Sequence, residues 1–405
     1  MNKTVLLLGG SAQQLDSFAA AKRLGYRTVL CDYDPNCPGR ELADSFYEVS
    51  TLDAEAVLAV AREEHVDGVV SYASDAPAPI AAWVSERLRL PTNPYESVAM
   101  LCDKGLFRAF LCKNGFSVPR CAIVGAGDSD SLEMAVREVD FPLVMKPVDS
   151  AGSRGVTVVR DPANAPEAFS HALAHSRKRE VVVEQYVETV TPGRVIEAEI
   201  FVEHGRIVSW GLMSAYRDLS LNGVVPSCCV HPADIAETVE DQARQVLSRL
   251  VERAGIVQGP MNVELIFDAS GNMYIIDVGP RNGGNFLPSF FSHISGDDIT
   301  AATLRIAVGE PSDLQMFERS NDGLWVQFMH YSHEDGVFRG FSTTPEYDCA
   351  LIETHLYKEI GSQVDPLKST SDSIGVSLLH FPGETDARTL TSRLPKMCHP
   401  VIEAR

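Results

Sequence analysis

The sequence predicts a multidomain fold of mixed α/β and α+β class. A parallel βαβ sheet domain comes first, a larger part built on antiparallel strands follows, and a small strand-rich segment ends the chain. Three observations carry this. Over about the first ninety residues short apolar runs alternate with helical patterns, the middle is rich in strand pairs joined by tight turns, and after about Asp313 strands are punctuated by Pro and Gly. At 405 residues the chain is long enough for two or three domains of about 100 to 200 residues each.

The opening elements read KTVLLLGG, SFAAAKRLG, YRTVLCDYD, AEAVLAVAREEH and VDGVVSYASD, which is strand, helix, strand, helix, strand. The prolines in LPTNP, Leu90 to Pro94, mark the exit from this unit, because proline restricts its own φ and the residue before it. From Glu96 the pattern predicts one helix running to Gly115, a natural stop. PLVMKPV and RGVTVVRD are strands around a small-residue loop, and AFSHALAHSRKR is a helix before the strand VVVEQYV. IEAEIFVEHGRIVSWGLM is a hairpin turning at His204 and Gly205. ETVEDQARQVLSRLVERAG is an amphipathic helix, NVELIFDASGNMYIIDVGPR is a second hairpin, and Ile299 to Val308 is a closing helix. The domains expected are 1–93, 94–312 with a flexible subdomain at about 120–187, and 313–405.

Composition excludes several classes of function. Apolar residues make up 45% and charged residues 22%, an ordinary globular balance rather than a disordered one. A formal net charge of −20 opposes binding to nucleic acid or an anionic membrane. The apolar run Thr4 to Leu8 is short, lacks a charged flank of signal type and reads as a first strand, and no run is long enough to span a bilayer. Nine scattered cysteines, with no CxxC pair and no zinc-type His spacing, fit reduced thiols in the cytoplasm. The eleven histidines show no metal spacing either and read as surface or core residues; His293, after Arg281, is the one candidate among them for touching substrate.

Three segments carry chemistry. In FPLVMKPVDSAGSRGV a strand ends in Lys146, and Ser150, Gly152, Ser153 and Gly155 form a loop whose amides can approach phosphate oxygens. This is not a Walker A loop, and a plain turn between strands is its structural alternative. Glu264 and Asp277 lie in paired strands, followed by Arg281; two carboxylates on one face can hold Mg²⁺ shared with phosphates, and the arginine can meet the terminal phosphate. The apolar neighbours in MNVELIF and MYIIDVG argue against a solvated hairpin. Glu184 ends VVVEQYVE, with Glu197 and Glu199 following, an arrangement that suits adenine and ribose or an ordinary edge strand. In the first unit Gly9, Gly10 and Ser11 follow a strand and Asp32 ends the next, but GGSAQQ does not match GxGxxG, which argues against a dinucleotide. That turn and Asp75 can line an acceptor site, and Asp75 can equally cap a helix.

The joint order of these motifs over roughly residues 1 to 310 resembles the ATP-grasp superfamily of carboxylate–amine ligases, with its L-amino-acid ligases, biotin carboxylase and purine-pathway members. The resemblance implies a pre-ATP-grasp domain at 1–93, and nucleotide phosphates held by Lys104 of Asp103-Lys104 and by Lys146 under the loop of Ser150, Gly152, Ser153 and Gly155. It implies an adenine hinge at Glu184, Gln185, Tyr186 and Val187, a ribose or supporting carboxylate at Glu197 or Glu199, and Mg²⁺ or Mn²⁺ on Glu264 and Asp277. Arg281 and Lys146 become the catalytic candidates. One departure stands out: the family has Glu-x-Asn-x-Arg where this chain has Asp277, Val278, Gly279, Pro280, Arg281. Gly279 removes an Asn ligand, for which Asn282 or Asn285 is a substitute.

The implied activity uses ATP to phosphorylate a carboxylate and transfers the acyl group to an amine, with small-molecule substrates and a homodimer as further expectations. Three alternatives remain beside it: a carboxylase using bicarbonate, a kinase-like relative that leaves the phosphate on its product, and a non-catalytic nucleotide-binding regulator, for which Gly279 is the one supporting feature.

Overall fold

The computed structural model describes residues 3–191, 193–220, 223, 225–315 and 322–404. The first sheet contains β1 (Thr4–Leu8), β2 (Arg27–Asp32), β3 (Ser45–Glu48) and β4 (Gly68–Val70), all parallel in the order β3-β2-β1-β4. Its central strands are apolar at nearly every position because helices cover both faces. Helices Ala54–Glu63 and Ala78–Leu88 cover one face. The other is covered by Leu15–Leu24 and, from much later in the chain, by Ile299–Ala307, whose Ala301, Leu304 and Ala307 pack against Val5 and Leu7. Gly68 is where this helix comes closest: a Cβ there would lie 2.5 Å from the Ala307 carbonyl. The unit expected at 1–93 therefore completes its core with residues from beyond 298.

A second sheet contains β5 (Cys121–Gly125), β6 (Leu143–Pro147), β7 (Thr157–Val159) and β8 (Glu180–Gln185), antiparallel in the order β5-β8-β6-β7. Helices Ser129–Val139 and Ala165–Ala174 bury its apolar side.

The largest sheet has eight strands. Its members from the middle of the chain are β9 (Arg194–Glu203), β10 (Arg206–Arg217), β11 (Pro226–His231), β12 (Gln258–Phe267) and β13 (Met273–Gly279). The C-terminal part adds β14 (Gly323–His330), β15 (Gly336–Thr343), β16 (Leu351–Leu356), β17 (Gln363–Val364), β18 (Gly375–Pro382) and β19 (Cys398–Glu403). The order is β13-β12-β9-β10-β11-β14-β18-β16, so the boundary expected at 312/313 does not divide the sheet: β14, β18 and β16 extend it through β11. Only β17, β15 and β19 form a separate small antiparallel sheet. Helix Glu237–Ala254 buries Leu247, Leu250 and Val251 against one face of β9, β12 and β13. The expected hairpin turns on His204 and Gly205, both at positive φ (52° and 72°), the pairing that suits the twist of a tight hairpin.

The single helix expected from Glu96 to Gly115 is two, Tyr95–Leu101 and Lys104–Lys113. Asp103 breaks the run: it is extended (φ −112°, ψ 112°) and its carboxylate accepts from the Leu106 amide at 2.9 Å, a local bond that competes with continuing the helix. The break puts Lys104 on the first turn of a new helix.

Candidate active site

Lys104 is the meeting point of the site. Its backbone amide donates to the Val148 carbonyl at 2.8 Å. Its Nζ lies 3.1 Å from both Asp277 oxygens and 3.0 Å from the Ser150 carbonyl of the glycine-rich loop. One ammonium thus joins β13, the helix Lys104–Lys113 and the loop. Burial pushes the Asp277 carboxyl up, but Lys104 and Lys146 outweigh it and hold the group below its ordinary range.

Glu264 and Asp277 are direct cross-strand neighbours on β12 and β13, and Glu264 also faces Glu197 on β9. A register shift between Glu264 and Leu265 accompanies the row. The two carboxylates supply only hard oxygen donors, and each already faces a cation, Asp277 with Lys104 and Glu264 with Arg217. This suits a small divalent ion that shares its remaining positions with phosphate and water. Among the described residues no three His, Cys, Asp or Glu side chains form a metal-holding group by themselves. Arg217 was not legible as a site residue. It is the last residue of β10, where the pairing with β11 slips at Tyr216, and a bulge of this kind re-aims a side chain.

Lys146 and Glu184 form a buried ion pair, and Glu184 also accepts from Arg108 Nε at 2.9 Å and Nη2 at 3.4 Å. Arg108 reaches the Ile276 carbonyl at 2.7 Å, tying this triad to β13. Burial, with repulsion from Arg108 and Lys104, lowers the Lys146 pKa to about 8 in spite of Glu184. Burial would raise Glu184, yet its two cations hold it below the usual range. The sequence placed Glu184 in the adenine hinge through its backbone; its carboxylate is locked in this triad. The Gln185 and Tyr186 amides are also committed, to the Arg120 carbonyl at 2.8 Å and the Pro142 carbonyl at 3.0 Å. Tyr186 lies under the Arg160 guanidinium, 5.5 Å from it, and Val187 packs into the core beside β9. Arg108 was missed, although its spacing of four from Lys104 puts both on one helix face.

Glu197 and Glu199 separate in role. Asn262 Nδ2 donates to both, at 3.2 and 3.3 Å, and Cys229 Sγ lies 3.3 Å from Glu197. Glu199 is buried and accepts the Gly283 amide on both oxygens at 2.9 and 3.0 Å, fixing the loop after β13. Burial pushes its pKa up to about 8 against that amide and Arg281.

Arg281 donates from Nη2 to Asp75 Oδ2 at 2.6 Å and from Nη1 to the Asn282 carbonyl at 3.0 Å. Burial would lower its pKa, but Asp75 wins and raises it. Its Nε has no hydrogen-bond partner among the described residues. Asp75 therefore neither caps a helix by its side chain nor stands apart; it brings the first sheet to the loop. A Cβ at Gly279 would lie 2.5 Å from both Arg281 Cζ and Asp75 Oδ1, so the glycine makes room for this pair. The substitution that favoured a regulator has a packing reason. Of the two Asn proposed as substitute metal ligands, Asn285 has its Oδ1 engaged by Tyr357 at 3.0 Å, while Asn282 donates from Nδ2 to Thr303 at 3.1 Å and keeps a buried Oδ1 without a partner among the described residues. Asp32 accepts from the Gly10 amide at 2.8 Å and so holds the glycine turn rather than a ribose. His293 pairs with Glu353 at 2.8 Å, on β16.

In the loop, Gly152 and Gly155 have positive φ (64° and 76°), as does Ser153 (59°). Ser150 Oγ closes the loop on the Arg154 carbonyl at 3.0 Å. Among the described residues no helix is long and apolar enough to cross a membrane.

The profile of the ATP-grasp domain family matches residues 139–288, the stretch from before β6 to just past Arg281. The carbamoyl phosphate synthase large chain of Vibrio cholerae is 25% identical over 74% of this chain, which spans only 27% of that relative's length. The L-amino acid ligase of Bacillus licheniformis superposes with a TM-score of 0.81 at 21% identity, over 99% of both chains. The biotin carboxylase domain of the Hydrogenobacter thermophilus 2-oxoglutarate carboxylase, solved with MgADP and bicarbonate, gives 0.75 at 16% identity over 99% of this chain and 91% of its own. Residues 139–288 thus match the ATP-grasp domain family, and the chain as a whole shares its fold with these solved structures.

Proposed function

We propose that the protein is an ATP-dependent ligase that phosphorylates a substrate carboxylate with Mg-ATP and passes the acyl group to an amine. The products are an amide or peptide-like bond, ADP and phosphate. The observation that carries this reading is Lys104, whose Nζ bridges Asp277 and the Ser150 carbonyl within 3.1 Å and so gathers carboxylate pair, helix N-terminus and loop at one point.

In the first step a substrate carboxylate oxygen attacks the γ-phosphorus of ATP and ADP leaves. Phosphoryl transfer depends mainly on positioning and charge, which Lys104, Lys146 and the loop amides of Ser150, Gly152, Ser153 and Gly155 supply. Glu264 and Asp277 would hold the divalent ion, which when bound neutralises phosphate charge. Arg281, pinned by Asp75, faces the transferring group. In the second step the amine nitrogen attacks the acyl carbon, phosphate departs and the amine releases a proton. The loop keeps water from the acyl phosphate meanwhile. Gln185 to Val187 and Glu197 remain the proposed nucleotide-base and ribose side. Asn282 and Asn285 are not proposed as metal ligands. All nine cysteines are free thiols, which suits a reducing cytoplasm and small-molecule substrates.

The test is ADP and phosphate release from Mg-ATP with small carboxylates and amines offered singly and in pairs. Release that needs both supports the ligase; release with bicarbonate and no other acid points to a carboxylase. Arg281→Ala should lower turnover far more than ATP affinity, and equal loss of both would count against its role.

A further inference from the structure

The C-terminal segment touches the glycine-rich loop at Thr370. Thr370 Oγ1 lies 3.3 Å and the Thr370 amide 3.5 Å from the Gly152 carbonyl, 218 positions away. These contacts are at the outer range of hydrogen bonding, where a bond can be made and broken at little cost. The approach is close: a Cβ on Gly152 would lie 2.5 Å from Thr370 Oγ1. Gly152 is thus required twice, by its φ of 64° and by the hydroxyl above it.

Thr370 is held rigidly for this contact. Asp372 Oδ2 accepts from the Lys368 amide at 2.9 Å and the Ser369 amide at 2.8 Å, closing a tight turn around it. The turn is fastened on both sides to strand β14 and its exit. The Leu367 amide donates to the Ser332 carbonyl at 3.2 Å, and the Ile374 amide to the His330 carbonyl at 2.7 Å. The loop, in contrast, is held at Ser150 by Lys104 and by its own internal bonds. A fixed turn and a glycine loop therefore meet at Thr370.

We propose that Thr370 is a positioning residue that latches the Ser150–Gly155 loop in its closed position, so that the C-terminal segment controls access to the phosphate-binding side of the cleft. The catalytic consequence rests on the ligase reading above; the mechanical one does not.

Arg154 is exposed within the loop and offers trypsin a cleavage site that reports loop release directly. The experiment compares cleavage after Arg154 in the full-length protein, wild type against Thr370→Val and Thr370→Ser, without nucleotide and with Mg-ADP. Thr370→Val removes the hydroxyl at nearly constant volume and should be cut about two- to threefold faster, the low end of the range for losing one hydrogen bond. Thr370→Ser should return to the wild-type rate. An unchanged thermal midpoint and unchanged cleavage elsewhere show that the fold is intact. Equal rates for Thr370→Val and wild type in the nucleotide-free arm overturn the latch even if the protein proves to be a ligase. Faster cleavage of Thr370→Val in a protein that turns over no ATP keeps the latch and sinks the ligase reading.

Discussion

Arg281 and Asp75, 206 positions apart, are joined by a 2.6 Å bond that fills the space a side chain at position 279 would need. The pair couples the first sheet to the loop after β13 and explains why the asparagine of the usual motif is missing. Gly279→Asn should therefore not restore a metal ligand. It should push the guanidinium aside and cost about 1 to 3 kcal/mol, as overpacking does, with turnover falling alongside. Thermal midpoint and Mg²⁺ titration of turnover check this; tighter Mg²⁺ dependence at full turnover would show that the space is available.

The buried triad of Arg108, Glu184 and Lys146 supports a second prediction. Removing one charge from such a group leaves the others uncompensated, which costs about 3 to 5 kcal/mol. Glu184→Gln should lower stability by that order in urea unfolding. A loss under about 1 kcal/mol, of the size an exposed pair gives, would mean that Arg108 and Lys146 are solvated.

How legible were these features? Hydrophobic alternation and turn residues sufficed for the order of elements, because each strand and helix satisfies its own local pattern. What stayed hidden was long-range. Helix Ile299–Ala307 completes the first sheet and β14 joins β11, and neither pairing leaves a local trace. Motif order singled out Lys104, Lys146, Glu264, Asp277 and Arg281, and its place near a strand end singled out Asp75, whereas Arg108 and Arg217 act through partners that only the fold brings near. The partners of the Glu184 carboxylate were not legible, because a carboxylate at a strand end looks alike whether it faces solvent or a buried guanidinium.

Asp277 and Glu264 should bind a divalent ion only together with phosphate, since two carboxylates leave most of its coordination open. Mn²⁺ binding followed by electron paramagnetic resonance should be weak without nucleotide and strengthen with ADP. Asp277→Asn should weaken it at least about tenfold, the effect of one lost charge-assisted contact. Unchanged Mn²⁺ affinity in that variant would place the ion elsewhere.

Glu199 gives the protein a specific pH dependence. Burial lifts its pKa from 4.5 to about 8 in the folded chain, so between these values the folded state keeps a proton that the unfolded chain has released. Stability from this group is fully present below pH 4.5, falls as pH rises and levels off above about 8, with a slope approaching about 1.4 kcal/mol per pH unit in mid-window. Lys146, lowered from 10.5 to about 8, acts in the opposite direction and in a different window, raising stability between those values. Glu199→Gln keeps an acceptor for the Gly283 amide but cannot ionise, so its urea midpoint measured from pH 5 to 8 should vary less than that of the wild type. Parallel curves for the two proteins would mean that Glu199 is ionised in the fold, and that its bonds to Gly283 and Asn262 compensate the buried charge.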